Sequence, residues 1–168
     1  VTVFDADSEV HRMQGPDGAL VSAIEAEFAG PTGPQGVDRQ KLGAIVFHDP
    51  AAMARLEAIM HPAVTMARQA FLVEHMGQAL VVLDIPLLFE KGGAAEVDAV
   101  LVVSASPEIQ RARVLARPGM THERFAAILG AQLPDAEKRA RADYVIDTGC
   151  PPEETRRAVA GLVAKLVR

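Results

Sequence analysis

Acidic and hydroxyl-bearing residues stand at the ends of the apolar segments of this sequence. Asp5 and Asp7 follow the segment "VTVF", Asp84 interrupts "VVLDIPLLF", Glu90 follows it directly, and Thr148 comes after "DYVID". A carboxylate at such a position can orient or deprotonate a hydroxyl group, or it can hold a hydrated cation. Because a strand that only fills a core needs no such residues at its exit, these positions are candidates for chemistry.

A basic segment in the second half of the chain predicts an anion-binding surface. Residues 111–141 include six arginines and Lys138, against three acidic residues. Arg113 and Arg117 are four residues apart and therefore share one face of a predicted helix, directly before a proline–glycine break. A solvated basic face is the usual explanation for such a pair, but the shortage of nearby acids favours an anion as the partner.

Strands and helices alternate along the chain, and they must position these residues. The predicted strands are apolar without interruption, which is typical of parallel strands buried on both faces. We therefore expect an α/β fold, a parallel sheet covered by helices on both faces, with ligands beyond the carboxyl ends of its strands. The predicted strands are "VTVF", "LVVLDIPLL", "VDAVLVVSA" and "DYVIDT", and the predicted helices begin near Ser8, Leu20, Asp38, Asp49, Ser106, Thr121 and Pro151.

Glycine and proline divide the first half of the chain further. The segment "GPTGPQG", residues 30–36, is predicted to be a loop on its composition. His61-Pro62 is predicted to interrupt the helix that Asp49-Pro50 starts, since proline removes a helical donor. Leu20, Ile24 and Phe28 recur at intervals of four and are expected to face a core.

Composition limits the class of protein. The chain has 168 residues, enough for one domain, and 49% of them are hydrophobic, so a globular fold is expected. A net charge of −5 argues against a general nucleic-acid surface. No apolar run approaches the roughly 18 residues of a membrane span, and no signal peptide is recognisable, so no membrane partner is expected. The single cysteine, Cys150, excludes an internal disulfide and predicts a cytoplasmic protein.

Several segments in a fixed order resemble the dephospho-CoA kinase family, from Phe4 to about Gly149. They are "FDAD", "VDRQKLGAIVF", "MHP", "IPLLFE", "VLVVSASPEIQRARVLAR" and "ADYVIDTG", and "PLLFE" together with "DR…L…VF" is specific. The resemblance implies an enzyme that uses ATP to phosphorylate the ribose 3′-hydroxyl of dephospho-CoA, which gives coenzyme A. It also implies a P-loop kinase-like fold, Mg²⁺ with the ATP, and, within one domain of residues 1–168, a helical cap over residues 8–75 and a lid over residues 110–141.

The resemblance assigns roles to residues of this sequence. Asp7 corresponds to the carboxylate near the substrate hydroxyl, as orienter or general base, and Arg113 and Arg117 correspond to lid arginines that stabilise the transferring phosphoryl group. Asp84 is a candidate for holding Mg²⁺ through a water molecule. The implied substrate-binding residues are Asp7, Arg39, His61, Pro86, Leu87, Leu88, Glu90 and Lys138, and the implied ATP-binding residues are Arg113, Arg117, Thr148 and Gly149.

Structural alternatives to these roles stay open. Asp5 and Asp7 could be a turn-capping pair, and Asp5 is expected to be the structural one of the two. Asp84 could be a hydrogen-bonded strand residue. Glu90 could cap a turn or form a salt bridge beside Lys91.

One element of the family pattern is missing from the sequence. The family begins with a strand and a glycine-rich loop of the form GxxxxGK[ST], whose N–H groups and lysine hold the ATP phosphates, and these 168 residues contain no such loop. We expect the first strand and the P-loop to lie in roughly 25 to 30 residues that precede the sequence, the usual length of a strand–loop–helix unit. Residues 1–168 alone are expected to be inactive.

Two functions of other kinds are alternatives to this enzyme. One is a different small-molecule kinase of the same fold, and the helices between Ser8 and His75 would distinguish it by rejecting a pantetheine arm. The other is a non-catalytic module that binds CoA or a partner protein.

Overall fold

Six short strands form three separate pairs in the computed structural model, which describes residues 1–167. β1 lies parallel to β4, β5 lies parallel to β6, and β2 forms an antiparallel hairpin with β3. The predicted α/β class with parallel strands is confirmed. The strands are β1 (Thr2–Asp5), β2 (Thr32–Gly33), β3 (Gly36–Val37), β4 (Val81–Asp84), β5 (Leu101–Ser104) and β6 (Tyr144–Asp147).

Most of the helices begin where the sequence supplies a cap. The side chains of Asp5, Asp38, Asp49, Ser106 and Thr121 accept hydrogen bonds from backbone N–H groups in the first turn of the helix that follows each of them. The helices are α1 (Ala6–Gln14), α2 (Val21–Glu27), α3 (Arg39–Val46), α4 (Pro50–Glu74), α5 (Pro107–Leu115), α6 (His122–Gly130), α7 (Asp135–Arg141) and α8 (Pro152–Leu166), with one 3₁₀ turn at Gly93–Glu96.

The chain divides into two compact units, one of residues Val1–Pro86 and one from Leu87 onward. In the first unit, helices α1, α2 and α3 pack against α4. Their shared core includes Leu20, Ile24 and Phe28, which were predicted to face a core, and it has residues from all four helices. It consists of Met13, Leu20, Ile24, Phe28, Val37, Leu42, Val46, Ala52 and Leu56.

In the second unit, α5 packs against α6, α7 packs against β5, and α8 packs against β6. Its buried hydrophobic residues among those described are Val100 and Ile146, so apolar burial is smaller here than in the first unit. None of the helices in residues 1–167 is both long enough and apolar enough to cross a membrane.

Within residues 1–167 the parallel strands are buried over part of their apolar surface and exposed over the rest. Val3 is 53% exposed, Val82 39% and Val103 63%, whereas Phe4 and Ile146 are 6% exposed. Each pair of strands therefore packs part of its apolar surface against its helices and leaves part exposed.

Three local predictions were wrong. Pro62 does not interrupt the helix: α4 runs through it. Proline cannot donate to the carbonyl four residues earlier, but Pro62 is exposed, so water can hydrate that carbonyl. The predicted loop at residues 30–36 contains the β2–β3 hairpin, with Gly36 at a positive φ of 87°. The long strand "LVVLDIPLL" is paired only as far as Asp84, because the residues next to Pro86 cannot continue the ladder.

Gly36 is required by close backbone contact, and this gives a test of the fold. A Cβ atom at Gly36 would lie 2.2 Å from the carbonyl oxygen of Gln14, at a positive φ, so we expect Gly36→Ala to lower the free energy of unfolding by about 2–4 kcal/mol. Gly43 lies inside α3 with nothing within 4 Å of an added Cβ, and Gly43→Ala is expected to raise the free energy of unfolding by about 1 kcal/mol. Denaturant unfolding of both variants measures this, and shifts of the same sign would contradict the assigned fold around the hairpin.

Candidate active site

The two acidic residues after β1 have different environments. The Asp5 carboxylate accepts hydrogen bonds from the backbone N–H of Ser8 at 2.9 Å and from its hydroxyl at 2.7 Å, and these bonds lower the pKa of Asp5. Asp7 lies in the first turn of α1, exposed, and its side chain makes no hydrogen bond or ion pair within residues 1–167. Asp5 is therefore the helix cap, and the Asp7 carboxylate is available for a ligand.

Arg39 approaches the helix that carries Asp7. Its Nη2 atom contacts Nδ1 of His11, and His11 lies one helical turn after Asp7 on the same face of α1. The structure thus brings together two residues that the sequence predicts to be in the site, Asp7 and Arg39, through a third. The sequence-based prediction gives His11 no role, although its spacing of four from Asp7 could have indicated it.

His61 and Pro86 occupy other parts of the first unit. His61 is exposed on α4, next to Met60, whose sulfur lies 3.9 Å from the amide nitrogen of Gln14 at the end of α1. Pro86 is the exposed last residue of the unit. The contact of Met60 places this part of α4 against the end of α1, and the exposed side chain of His61 has no hydrogen bond or ion pair within residues 1–167.

Asp84 is a single exposed carboxylate that could bind Mg²⁺. It is exposed at the end of β4, with Asp5 as its register partner in β1, and its carboxylate has no partner within the described residues. Residues 1–167 contain no group of three or more His, Cys, Asp or Glu side chains arranged to hold a metal ion. One uncommitted carboxylate fits Mg²⁺, which keeps several waters and is commonly bound through substrate phosphates.

The residues expected to bind ATP cluster at the carboxyl end of the β5–β6 pair. Nη2 of Arg113 donates a hydrogen bond to the carbonyl oxygen of Thr148 at 2.8 Å. The Thr148 hydroxyl and N–H both donate to the carbonyl oxygen of Ser104, at 2.9 and 2.7 Å, and the Gly149 N–H donates to Asp147. Thr148 therefore has no donor left for a ligand, and Arg113 serves to hold the loop after β6.

Arg117 differs from Arg113 in being uncommitted. It is exposed in the turn between α5 and α6, and its guanidinium makes no hydrogen bond or ion pair within residues 1–167. Neighbouring basic residues hold the turn together: Arg124 donates to the carbonyl oxygen of Gly119 at 2.9 Å, and Arg111 contacts His122. Of the two predicted lid arginines, Arg117 is the one whose guanidinium makes no bond to the protein within residues 1–167, whereas Arg113 uses one of its N–H donors on Thr148.

Glu90 and Lys138, both expected to bind substrate, bind each other. Nζ of Lys138 lies 2.8 Å from Oε1 of Glu90, and the Leu133 N–H donates to the same oxygen at 2.8 Å. Burial raises the pKa of Glu90, but the bonds from Lys138 and Leu133 outweigh it, so that the pKa lies below its ordinary value. Each of these two charges already has a partner in the chain, and direct substrate contact by Glu90 and Lys138 stays a prediction.

Leu87 and Leu88 form the turn that leads to Glu90. Leu87 has a positive φ of 60°, which is uncommon for a residue with a side chain. Leu88 packs against Gly93, where an added Cβ would lie 2.8 Å from its Cδ1 atom. Both residues therefore shape this turn, and their contact with substrate stays a prediction.

The lowered pKa of Glu90 predicts an acid-dependent contribution to stability. Because the folded-state pKa is depressed, the contribution is present above the ordinary value of 4.5 and is lost as the pH falls through the folded-state pKa. We expect Glu90→Gln to destabilise the protein near neutral pH and to become less different from the parent as the pH falls from about 6 to about 3. Glu137→Gln, which removes an exposed carboxylate of α7, is the control, and an equal pH trend in both variants would contradict the assignment.

Comparison with known proteins gives one consistent result. The family model described as CoaE, dephospho-CoA kinase, matches residues 1–151. The dephospho-CoA kinase of Novosphingobium aromaticivorans is 66% identical over 163 residues, which cover 97% of this chain and 81% of that protein. A crystal structure of a Thermus thermophilus protein matches with a TM-score of 0.78 at 33% identity, over 98% of this chain and 84% of that chain. The dephospho-CoA kinase from Campylobacter jejuni, 23% identical over 99% of this chain and 85% of its own, shares the fold with a TM-score of 0.68.

Proposed function

The chain belongs to the dephospho-CoA kinase family, and we propose on this premise that it phosphorylates dephospho-CoA with ATP to make coenzyme A. The acceptor is the ribose 3′-hydroxyl. The observation that carries the proposal is the 66% identity to a dephospho-CoA kinase over 97% of the chain. An exposed, uncommitted carboxylate directly after the first strand supports it, because phosphoryl transfer to a hydroxyl needs a group that orients the nucleophile.

We assign that role to Asp7. Its carboxylate has no competing partner within residues 1–167, so it can accept the proton of the 3′-hydroxyl or orient this group for in-line attack. Arg39, held beside α1 by His11, is suited to a phosphate of dephospho-CoA. His61, within a cap that we assign to residues 8–75, remains a proposed substrate contact, and so do Pro86, Leu87 and Leu88, which follow the cap.

We assign to Arg117 the role of stabilising the negative charge on the phosphoryl group during its transfer. Its exposed guanidinium can reach an anion without first breaking a bond to the protein, whereas Arg113 is engaged with Thr148. Arg113, Thr148 and Gly149 are the proposed ATP contacts, with Arg113 acting mainly through the Thr148 loop. Residues 110–141 are the proposed lid.

Mg²⁺ is the proposed metal. Bound with ATP, it would neutralise charge on the phosphates, and Asp84 is the residue proposed to hold it through water. The 168 residues contain no GxxxxGK[ST] segment. We therefore assign no residue described above to the backbone N–H groups that would bind the ATP phosphates.

We propose a cytoplasmic location and no nucleic-acid or membrane partner. A single cysteine, Cys150, is compatible with a reducing compartment. The net charge of −5 does not favour binding to nucleic acid.

The role of Asp7 is tested in the protein translated from its complete reading frame. Asp7→Asn keeps the size of the side chain but removes its charge, and we expect kcat for coenzyme A formation to fall by about a hundredfold or more, with the unfolding temperature unchanged. Asp17→Asn is the matched control, because Asp17 is exposed and asparagine tolerates its positive φ. Turnover of Asp7→Asn within a few-fold of the parent would remove Asp7 from the mechanism.

Substitution of Arg117 and substitution of Arg113 are expected to have different effects on kinetics and stability. Arg117→Ala should lower kcat by about 100-fold or more with little change in KM for dephospho-CoA, because the lost charge acts in the transition state. Arg113→Ala should mainly lower stability and raise KM for ATP, since it frees the Thr148 loop. Steady-state kinetics with both substrates and thermal unfolding separate the two effects.

Arg139→Ala is the control for this pair, because Arg139 is exposed and its side chain makes no hydrogen bond or ion pair within residues 1–167. If Arg117→Ala has the same kinetics as Arg139→Ala, Arg117 is only part of a solvated surface.

A further inference from the structure

Glu90 has an environment that is unusual for a carboxylate near a proposed substrate site. Its side chain is only 15% exposed, and one oxygen, Oε1, receives both Lys138 and the Leu133 N–H. The other oxygen, Oε2, is buried and has no hydrogen-bond partner within residues 1–167. The carboxylate therefore points into the second unit and not toward solvent.

Stability alone does not account for this arrangement. Removing two charges from water is costly, and an apolar pair of similar volume is often as stable as a buried ion pair. Leaving Oε2 without a partner adds to the cost. A buried ion pair can instead hold the segments that it joins in one arrangement. An arrangement that separated the two charges would leave each of them buried without a partner, which is costly.

The segments joined by Glu90 belong to the proposed lid. Leu133 lies in the connection between α6 and α7, and Lys138 lies in α7. The start of α7 is fixed independently, because the buried Ser104 hydroxyl lies 2.9 Å from both carboxylate oxygens of Asp135. Ser104 therefore holds the first residue of α7, and Glu90 holds the connection from α6, at Leu133, and the middle of α7, at Lys138.

That point is one end of the helical hairpin that carries Arg117. α5 packs against α6, and contacts of Arg111 with His122 and of Arg124 with Gly119 hold the hairpin together. The hairpin is tied to the rest of the second unit at α5, through Arg113 and Thr148, and at the end of α6, through Glu90. A shift at either end would move Arg117.

The turn before Glu90 is itself held in one conformation. The Lys91 N–H donates to the carbonyl oxygen of Leu87 at 3.0 Å, and the Gly93 N–H donates to that of Leu88 at 2.9 Å. Leu87 adopts its positive φ of 60° inside this turn. A side chain is held in this region only when its surroundings determine the backbone, so the backbone of residues 87–93 around Glu90 has one conformation.

We propose that Glu90 is a positioning residue for phosphoryl transfer: through Leu133 and Lys138 it fixes the end of the α5–α6 hairpin and hence the place of Arg117. The inference rests on the proposed function, which gives Arg117 its role. Lys138 belongs to the same device and does not contact substrate. Glu90 touches neither substrate nor the reacting atoms.

The test combines kinetics with a second substitution. In the protein translated from its complete reading frame, Glu90→Gln keeps an acceptor for Leu133 and loses the charge, and Lys138→Met keeps the apolar stem. Each should lower kcat by about tenfold or more and change KM for dephospho-CoA by less than about threefold. In an Arg117→Ala background, Glu90→Gln should have little further effect on kcat, because it acts through Arg117. If Glu90 only stabilised the fold, Glu90→Gln would lower kcat by the same factor with and without Arg117.

Arg156→Met is the matched control, since it breaks an exposed ion pair with Glu153 on α8, outside the proposed lid. It should leave kcat unchanged. The proposal is overturned if Glu90→Gln has the kinetics of Arg156→Met, or if its effect on kcat is undiminished in the Arg117→Ala background. A rise of tenfold or more in KM for dephospho-CoA in Lys138→Met alone would also overturn it, because Lys138 would then contact substrate.

Amide hydrogen exchange separates a failure of this inference from a failure of the proposed function. If the parent protein does not phosphorylate dephospho-CoA, the proposed function fails, and exchange still tests the attachment. Faster exchange at residues 131–141 in Glu90→Gln and Lys138→Met, but not in Arg156→Met, supports the attachment. Unchanged protection at the Leu133 amide would overturn it.

Discussion

The hydrogen bonds from Ser8 to the Asp5 carboxylate fix the geometry on which the proposed chemistry depends. They end β1 at Asp5 and start α1 at Ala6, so that Asp7 falls in the first helical turn, exposed, rather than on a strand face. A carboxylate that caps a helix is occupied, while the one two residues later is not. Of the two acids in "FDAD", Asp5 is thereby the helix cap, and the Asp7 carboxylate stays free for the role proposed for it.

The two units are held together internally by different kinds of interaction. The first buries nine residues of an apolar core around α4, so its stability follows from packing. The second has few buried apolar residues and relies on polar ties such as Ser104 with Asp135 and Glu90 with Lys138. Such ties specify position more than they add stability, which suits a segment proposed to bring an arginine to a phosphoryl group.

Local chemistry in the sequence predicted much of this structure, and contacts between distant segments account for the rest. The helices after Asp38, Asp49 and Ser106 were predictable because a cap acts within one turn. The helix continues through Pro62 because packing of α4 on three other helices overrides a local preference. The pairing of Glu90 with Lys138, 48 positions later in the sequence, leaves no periodic signal.

The position of the transferred phosphate tests the central claim most directly. The protein translated from its complete reading frame is incubated with ATP, Mg²⁺ and dephospho-CoA, and the product is examined by phosphorus and carbon NMR. The proposed function predicts one new phosphate, coupled to the ribose 3′ carbon, and no product from an analogue that lacks the 3′-hydroxyl. A phosphate at any other position, or no transfer to dephospho-CoA, would contradict it.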